Sequence, residues 1–208
     1  MKPGYLITLE GPEGAGKSTQ IGLLEEALVL RGYSVLRSYE PGGGNALTKK
    51  IRELLLSRDN AGMCEETELF LMLAARVEHV KKLILPALRE GKIVICDRFI
   101  DSSLAYQGYG RGLPLKIISD MNQFAIRGRY PDLTLILDVN SEIGLERAKN
   151  KAGLDRIEME KLDFHHRVRE GFLQLSEEGE QYYLIDAMRE VGQIHLEILG
   201  RVLKLVGA

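Results

Sequence analysis

Short runs of consecutive apolar residues alternate along the chain with longer stretches in which apolar positions recur at helical spacing. Residues 5–9 form such a run and stop at a glycine-rich turn; Ile21, Leu24 and Leu28 then repeat until Gly32. The first pattern predicts a buried strand, the second a helix ended by glycine. Val35 and Leu36 predict a second short strand, after which Glu40-Pro41-Gly42-Gly43-Gly44 must break regular structure. Leu47, Ile51, Leu54 and Leu55 mark another helix. A long helical stretch is expected from about 65 to 90, with Leu69, Met72, Leu73, Val77, Val80 and Ile84 on its apolar face. Pro86 should kink it and Gly91 stop it.

Residues 93–96 read as a strand that delivers Asp97 and Arg98 at its carboxyl end, and 115–126 as a helix. Residues 133–137 predict a fourth strand ending at Asp138, with helices on either side of Gly153. A last strand at 183–185 and a helix over about 191–206 close the pattern. Strands that alternate with helices pair in parallel through right-handed crossovers. The expected fold is α/β: a doubly wound, five-stranded parallel sheet with helices on both faces, in one domain over 1–208.

Composition narrows the function only a little. The chain has 208 residues, 45% hydrophobic and 28% charged, with a formal net charge of −2. That balance is ordinary for a globular protein and too weakly basic for a nucleic-acid coat. The apolar run near the N-terminus is too short for a signal peptide or a membrane span. Cys64 and Cys96 form neither a metal-type pair nor a disulfide framework. A cytoplasmic location is the default expectation.

Chemistry enters at Gly11-Pro12-Glu13-Gly14-Ala15-Gly16-Lys17-Ser18, which matches G-x-x-x-x-G-K-[ST] with a strand before it and a helix after it. Glycines let the backbone curl so that successive N–H groups face phosphate oxygens, and the helix N-terminus adds its partial positive charge. Lys17 is expected at the β- and γ-phosphates and Ser18 on Mg²⁺, with Thr19 completing the ATP site. The motif does not say what becomes of the γ-phosphate. A small kinase is the economical reading; a nucleotide switch or ATPase is the rival from another class.

Further segments stand in order behind this loop: Glu40-Pro41-Gly42-Gly43 with Arg52 on the helix after it, Ala74-Ala75-Arg76-Val77-Glu78-His79, and Asp97-Arg98-Phe99. Ala105-Tyr106-Gln107-Gly108, Pro131-Asp132-Leu133-Thr134-Leu135 and Leu154-Asp155-Arg156-Ile157-Glu158 follow. At these spacings the chain resembles the thymidylate kinases, P-loop nucleoside monophosphate kinases, over nearly its whole length. The resemblance implies transfer of phosphate from ATP, with Mg²⁺, to dTMP, giving dTDP for dTTP biosynthesis. A kinase for another nucleoside monophosphate is the nearest alternative.

Each matching position inherits an implied role. Arg52 and Arg98 would hold the acceptor phosphate, since guanidinium forks match phosphate oxygens. Arg76 would donate to O4 of thymine, with Glu40, Ser103 and Gln107 around the acceptor and Met72 against the base. Tyr106 would crowd a ribose 2′-hydroxyl. Glu13 would meet the 3′-hydroxyl or orient an arginine, and Asp97 would hold Mg²⁺ through water. Because the phosphate loop has no arginine of its own, a lid at about 147–157 would close Arg147, Lys149, Lys151 and Arg156 over the triphosphate, with Lys17, Arg98, Lys151 and Arg156 catalytic. The resemblance also implies a homodimer packed through long helices. Plainer readings stand beside these: Lys149, three residues after Glu146, as a surface pair, Tyr106 as a core aromatic, and His79 as a helix-surface residue. His165 and His166 lack the spacing of a metal site and carry no assignment.

Four places depart from the family pattern, one of them Gly44-Asn45, which displaces the threonine usual after the glycines with one extra residue. Met72 replaces an aromatic usually stacked on the base, and Phe70 sits on another side of the helix. Tyr39 stands where an arginine is common, and Lys151 where a lid arginine is common.

Overall fold

The first apolar run becomes the central strand β1 (Tyr5–Glu10) of a computed structural model that describes residues 4–152 and 154–207. The side chains of 150–152 are not among those described, so Lys151, expected on the lid, lies outside the described side chains. The glycine-rich turn leads into α1 (Lys17–Val29), β2 (Val35–Tyr39) and α2 (Ala46–Leu56). Next, α3 (Glu65–His79) runs through a π-helical segment (Val80–Ile84) into α4 (Leu85–Arg89), and β3 (Ile93–Asp97) follows. After β3 come α5 (Ile100–Ser103), a second π-helical segment (Leu104–Gly110) and α6 (Leu115–Ala125). The remaining elements are β4 (Leu133–Asp138), α7 (Ser141–Ala152), α8 (Leu162–Leu175), β5 (Tyr182–Asp186) and α9 (Val191–Val206).

The five strands pair in parallel throughout, in the order β2-β3-β1-β4-β5. This is the doubly wound sheet that the alternation of patterns predicts. Side chains along a strand point alternately to its two faces, and the core divides accordingly. Ile7, Leu9, Ile93, Ile95, Leu133, Leu135 and Leu137 pack with α1 and α9. Leu6, Val94 and Cys96 pack with the stretch from the first π-helical segment into α4 on the other face, and Ile136 packs there with α8. The chain reverses direction across the sheet between β1 and β3, so the crevice beyond their carboxyl ends is where a ligand belongs.

Local chemistry explains the irregular elements. Asn45 caps α2 by accepting from the Leu47 and Thr48 N–H groups, and Thr48 Oγ1 accepts from Asn45 N–H in return. Pro86 brings no N–H to the turn before it, and the expected kink takes the form of the π-helical Val80–Ile84. The helical stretch over 100–110 is a finding the apolar pattern did not predict. Its glycines are poor helix formers, kept because α8 presses close: a Cβ at Gly110 would lie 2.6 Å from the Phe164 ring.

Candidate active site

The phosphate loop joins β1 to α1 and is braced from behind by α7. A Cβ at Gly14, where φ is +66°, would run into the carbonyl of Gly144, so two backbones meet there with no side chain between them. Lys17 folds back into the loop, its Nζ donating to the carbonyls of Gly11 at 2.9 Å and Pro12 at 2.7 Å. Burial and the nearby Arg98 charge push its ammonium down to about 8, against partial support from Asp97, Glu13 and Glu10.

In front of the loop lies a cavity of about 630 Å³. Of the residues expected at the site, Glu13, Gly14, Lys17, Ser18, Glu40, Arg52, Met72, Asp97, Arg98, Tyr106 and Gln107 all line it. Ser18 Oγ donates to Asp97 Oδ2 at 3.3 Å at the cavity's edge. One hydroxyl and one carboxylate suit Mg²⁺, which keeps several waters and takes its other ligands from substrate phosphates. Among the described residues no cluster of three or more His, Cys, Asp or Glu side chains could cage a metal by itself.

Arg98 has a left-handed backbone, φ +68°, held by Glu10. Glu10 is fully buried and accepts from Phe99 N–H and Ser102 Oγ–H, both at 2.6 Å. The turn swings the Arg98 guanidinium over the phosphate loop, where it donates to Gly11 O at 2.9 Å and to Ser102 Oγ at 3.2 Å. It also stacks 4.9 Å above the Tyr106 ring and approaches Glu13 at 3.4 Å. Glu13 Oε1 accepts from the Tyr106 hydroxyl, while Glu13 Oε2 has no hydrogen-bond partner. Burial pushes Glu13 up, but contacts from His165, Arg98 and Tyr106 outweigh it and hold the carboxyl at about 2.

His165, which sequence reasoning passed over, is buried with its Nδ1 3.5 Å from Glu13 Oε2, longer than a full-strength hydrogen bond. The signal was available: His165, Val168, Phe172 and Leu175 fall at helical spacing on the buried face of α8. His79 corrects another expectation. It is buried, not a surface residue, because the loop after β2 covers the end of α3. Its Nδ1 lies 2.8 Å from Glu40 Oε1 and its Nε2 2.6 Å from Ser38 Oγ.

Three expected residues sit elsewhere than the resemblance implies. Arg76 is fully buried and does not line the cavity. It donates through Nε to Glu40 at 2.7 Å, through Nη1 to Ser103 and Asn122, and through Nη2 to Phe99 O at 2.8 Å. A guanidinium has five N–H donors, and these partners take up four of them away from the cavity. Ser103 is occupied with Arg76 and fully buried, whereas its neighbour Ser102 lines the cavity. Arg156 does not face the phosphate loop: its Nη2 donates to Glu68 Oε2 at 2.6 Å and its Nε to Leu55 O at 2.7 Å. The segment expected to act as a lid packs at the end of α2, where Arg58 Nε also holds Leu154 O at 2.7 Å. Asp155, Ile157 and Glu158 line the cavity in its place. Arg147 is exposed on α7, as are Lys149 there and Thr19 in α1.

The acceptor end has its own order. Arg52 donates to Pro41 O at 2.8 Å and lies 5.4 Å over the Tyr39 ring. Met72 lines the cavity, and Phe70 faces outward, 56% exposed. Gln107 Nε2 donates to Glu68 Oε1 at 2.7 Å; its own Oε1 is buried and without a partner.

Comparison with known proteins decides the family. A model described as thymidylate kinase matches residues 9–198. The chain belongs to the thymidylate kinase family. It is 48% identical to the thymidylate kinase of Halothermothrix orenii, over 96% of either chain. It is 45% identical to that of Pelobacter propionicus, covering 97% of this chain and 94% of the relative. The crystal structure of the thymidylate kinase from Ehrlichia chaffeensis superposes with a TM-score of 0.78 at 35% identity, over 96% of this chain and 98% of that one. Among the described residues of this thymidylate kinase family member, no helix is long and apolar enough to cross a membrane.

Proposed function

We propose that the chain transfers the γ-phosphate of ATP to dTMP, yielding ADP and dTDP. The observation that carries the acceptor assignment is Gln107, a cavity-lining residue whose buried Oε1 accepts no hydrogen bond. A buried acceptor left open costs about 1–3 kcal/mol, and the N3–H of thymine or uracil fills it. Cytosine offers a lone pair at that position and cannot. Met72, which lines the cavity, covers the ring.

An acceptor phosphate oxygen attacks the γ-phosphorus, and the bond from that phosphorus to the β,γ-bridging oxygen breaks. No covalent enzyme intermediate is needed. Arg98 and Arg52 grip the acceptor phosphate, and Glu13, with its open Oε2, takes the sugar 3′-hydroxyl. Lys17 leaves the loop carbonyls for the β- and γ-oxygens and follows the charge as it shifts. Ser18 and Asp97 would hold Mg²⁺, whose positive charge would offset that of the triphosphate when bound. Arg147, Lys149 and Lys151 on α7 are the proposed lid cations, whereas Arg156 secures the lid to the acceptor side.

A homodimer is supported by Ile117 and Phe124 on α6, 53% and 83% exposed, beside Phe70 on α3. Exposed apolar residues on two adjoining helices suit a protein interface. A cytoplasmic location is proposed on the two free cysteines, Cys64 and Cys96.

The deciding experiment incubates the protein with ATP·Mg and each nucleoside monophosphate in turn, then identifies the diphosphate formed. The expected product is dTDP, with dUMP a weaker acceptor and dCMP almost unused. Faster turnover of dCMP or a purine monophosphate would replace the thymidylate reading with another monophosphate kinase. Turnover that needs no acceptor would replace it with an ATPase or switch.

A further inference from the structure

Gln107 could in principle present either end of its amide to a base. Which end it presents is settled by its neighbour on α3. Glu68 is 1% exposed, and its carboxylate is surrounded by donors. Oε1 accepts from Gln107 Nε2 at 2.7 Å and from Arg111 Nε at 3.4 Å; Oε2 accepts from Arg111 Nη2 at 3.0 Å and Arg156 Nη2 at 2.6 Å. Arg111 is tied in turn to Glu160 at 2.5 Å.

The geometry points to Glu68 as the residue that fixes pyrimidine choice, by holding the Gln107 amide so that only its carbonyl oxygen is left for the base. This rests on the reading of Gln107 as a base contact and adds what makes that contact selective. An ionised carboxylate has acceptors only. Turning the Gln107 amide over would bring its oxygen against Glu68 Oε1, two acceptors facing each other in a buried site, and would strand the amide nitrogen toward the cavity. The two arginines keep Glu68 from meeting this by protonation. Burial pushes its carboxyl up, but hydrogen bonds from Arg111 and Gln107, the Arg111 charge and the Arg156 hydrogen bond outweigh it and hold the group below its ordinary range. The amide is therefore locked in the orientation that accepts N3–H.

The consequence for substrates is specific. Thymine and uracil both carry N3–H and differ only in the methyl on C5, two ring positions away from N3. Cytosine has an unprotonated N3, which would meet the locked carbonyl oxygen as acceptor against acceptor. Sites built around a hydrogen bond can reject a mismatched partner by ~10⁴ or more. A neutral amide at position 68 can offer either an oxygen or an N–H, so it accepts the Gln107 amide in both orientations. The lock is then lost and the amide can turn its nitrogen toward cytosine N3. Glu68 is a positioning residue: it acts on the substrate only through Gln107.

The test compares kcat/KM for dTMP, dUMP and dCMP in the full-length protein and in Glu68→Gln, Glu68→Asp and Gln107→Leu. Glu68→Gln is expected to lower the dTMP:dCMP ratio at least tenfold while leaving the dTMP:dUMP ratio within about twofold. A pocket that had merely loosened would move both ratios. Glu68→Asp keeps the charge for both arginines but is shorter, so it supplies the reading if Glu68→Gln does not fold; its dTMP:dCMP ratio should fall as well. Gln107→Leu removes the amide and checks the underlying contact. If Gln107→Leu lowers the dTMP:dCMP ratio and neither folded Glu68 variant does, the lock is refuted while the base contact stands. If Gln107→Leu leaves that ratio unchanged, the base contact itself is wrong and the role of Glu68 goes with it.

Discussion

Lys17 Nζ lies 2.7 Å from the carbonyl oxygen of Pro12, inside the loop that it serves. A lysine held against neutral carbonyls, buried and beside Arg98, keeps its proton only up to about pH 8. A triphosphate is a far better partner and restores the proton. At pH 8, ATP·Mg binding should therefore take up about half a proton per site. Calorimetry in buffers of different ionisation enthalpy should show a sloping apparent enthalpy. Lys17→Arg, permanently charged, should flatten the slope, and a slope unchanged in that variant would assign the proton elsewhere. Lys17→Ala should lose at least ~10³ in turnover, the scale of charge-stabilising groups in such sites.

Asp101, on α5, supplies a stability test. It is fully buried, with Oδ1 accepting from the Tyr182 hydroxyl at 3.0 Å and Oδ2 without a partner. Burial and the Glu10 charge push its carboxyl up to about 7. The folded state thus holds a proton that the unfolded chain releases near pH 4, so its stabilising effect is present at low pH and is lost as pH rises toward 7. Asp101→Asn removes this dependence. Its Tm should gain on that of the unaltered protein as pH rises from 4 to 7. A difference in Tm constant across that range would refute the raised carboxyl.

The segment around Arg156 yields a prediction about which property changes. Arg156 is buried against Glu68 and Leu55 O, so Arg156→Ala should destabilise the fold by roughly 1–3 kcal/mol, the cost of leaving buried acceptors short of a donor. Denaturant unfolding measures this. A variant of unchanged stability whose turnover collapses at saturating ATP would restore the arginine to the triphosphate.

Tyr39 lies under Arg52 and positions it by a cation–π contact at a partly exposed site, worth about 0.5–1 kcal/mol. Tyr39→Ala should raise KM for dTMP roughly two- to fivefold with kcat little changed. An equal loss in kcat would mean that Arg52 acts on the transferred phosphate instead.

The elements easiest to read in the sequence were those whose order is local. The run at β1 and the repeats in α1 and α9 each report a single face buried against the sheet, and the phosphate loop combines a strand, glycines and a helix start within a few residues. The helix over 100–110 was hidden because Gly108 and Gly110 weaken its periodicity, and they are explained only by contact with Leu115 on α6 and Phe164 on α8. At the site, motif spacing brought eleven expected residues to one cavity. It could not say where a long arginine side chain ends. Arg76 and Arg156 are attached at positions that fit the family pattern, yet their guanidiniums are directed by Glu40 and Glu68, which lie 36 and 88 residues away along the chain. Charged partners so distant in sequence leave no periodic trace.

The meeting of Gly14 with Gly144 has a mechanical consequence. Where two backbones touch with no side chain between them, neither can slide without carrying the other. The start of α7 is thereby riveted to the phosphate loop, and the stretch that carries Arg147 and Lys149 projects from a fixed shoulder. Any swing of that stretch has its pivot beyond residue 144, and a methyl group added at either glycine would act as a wedge in the joint.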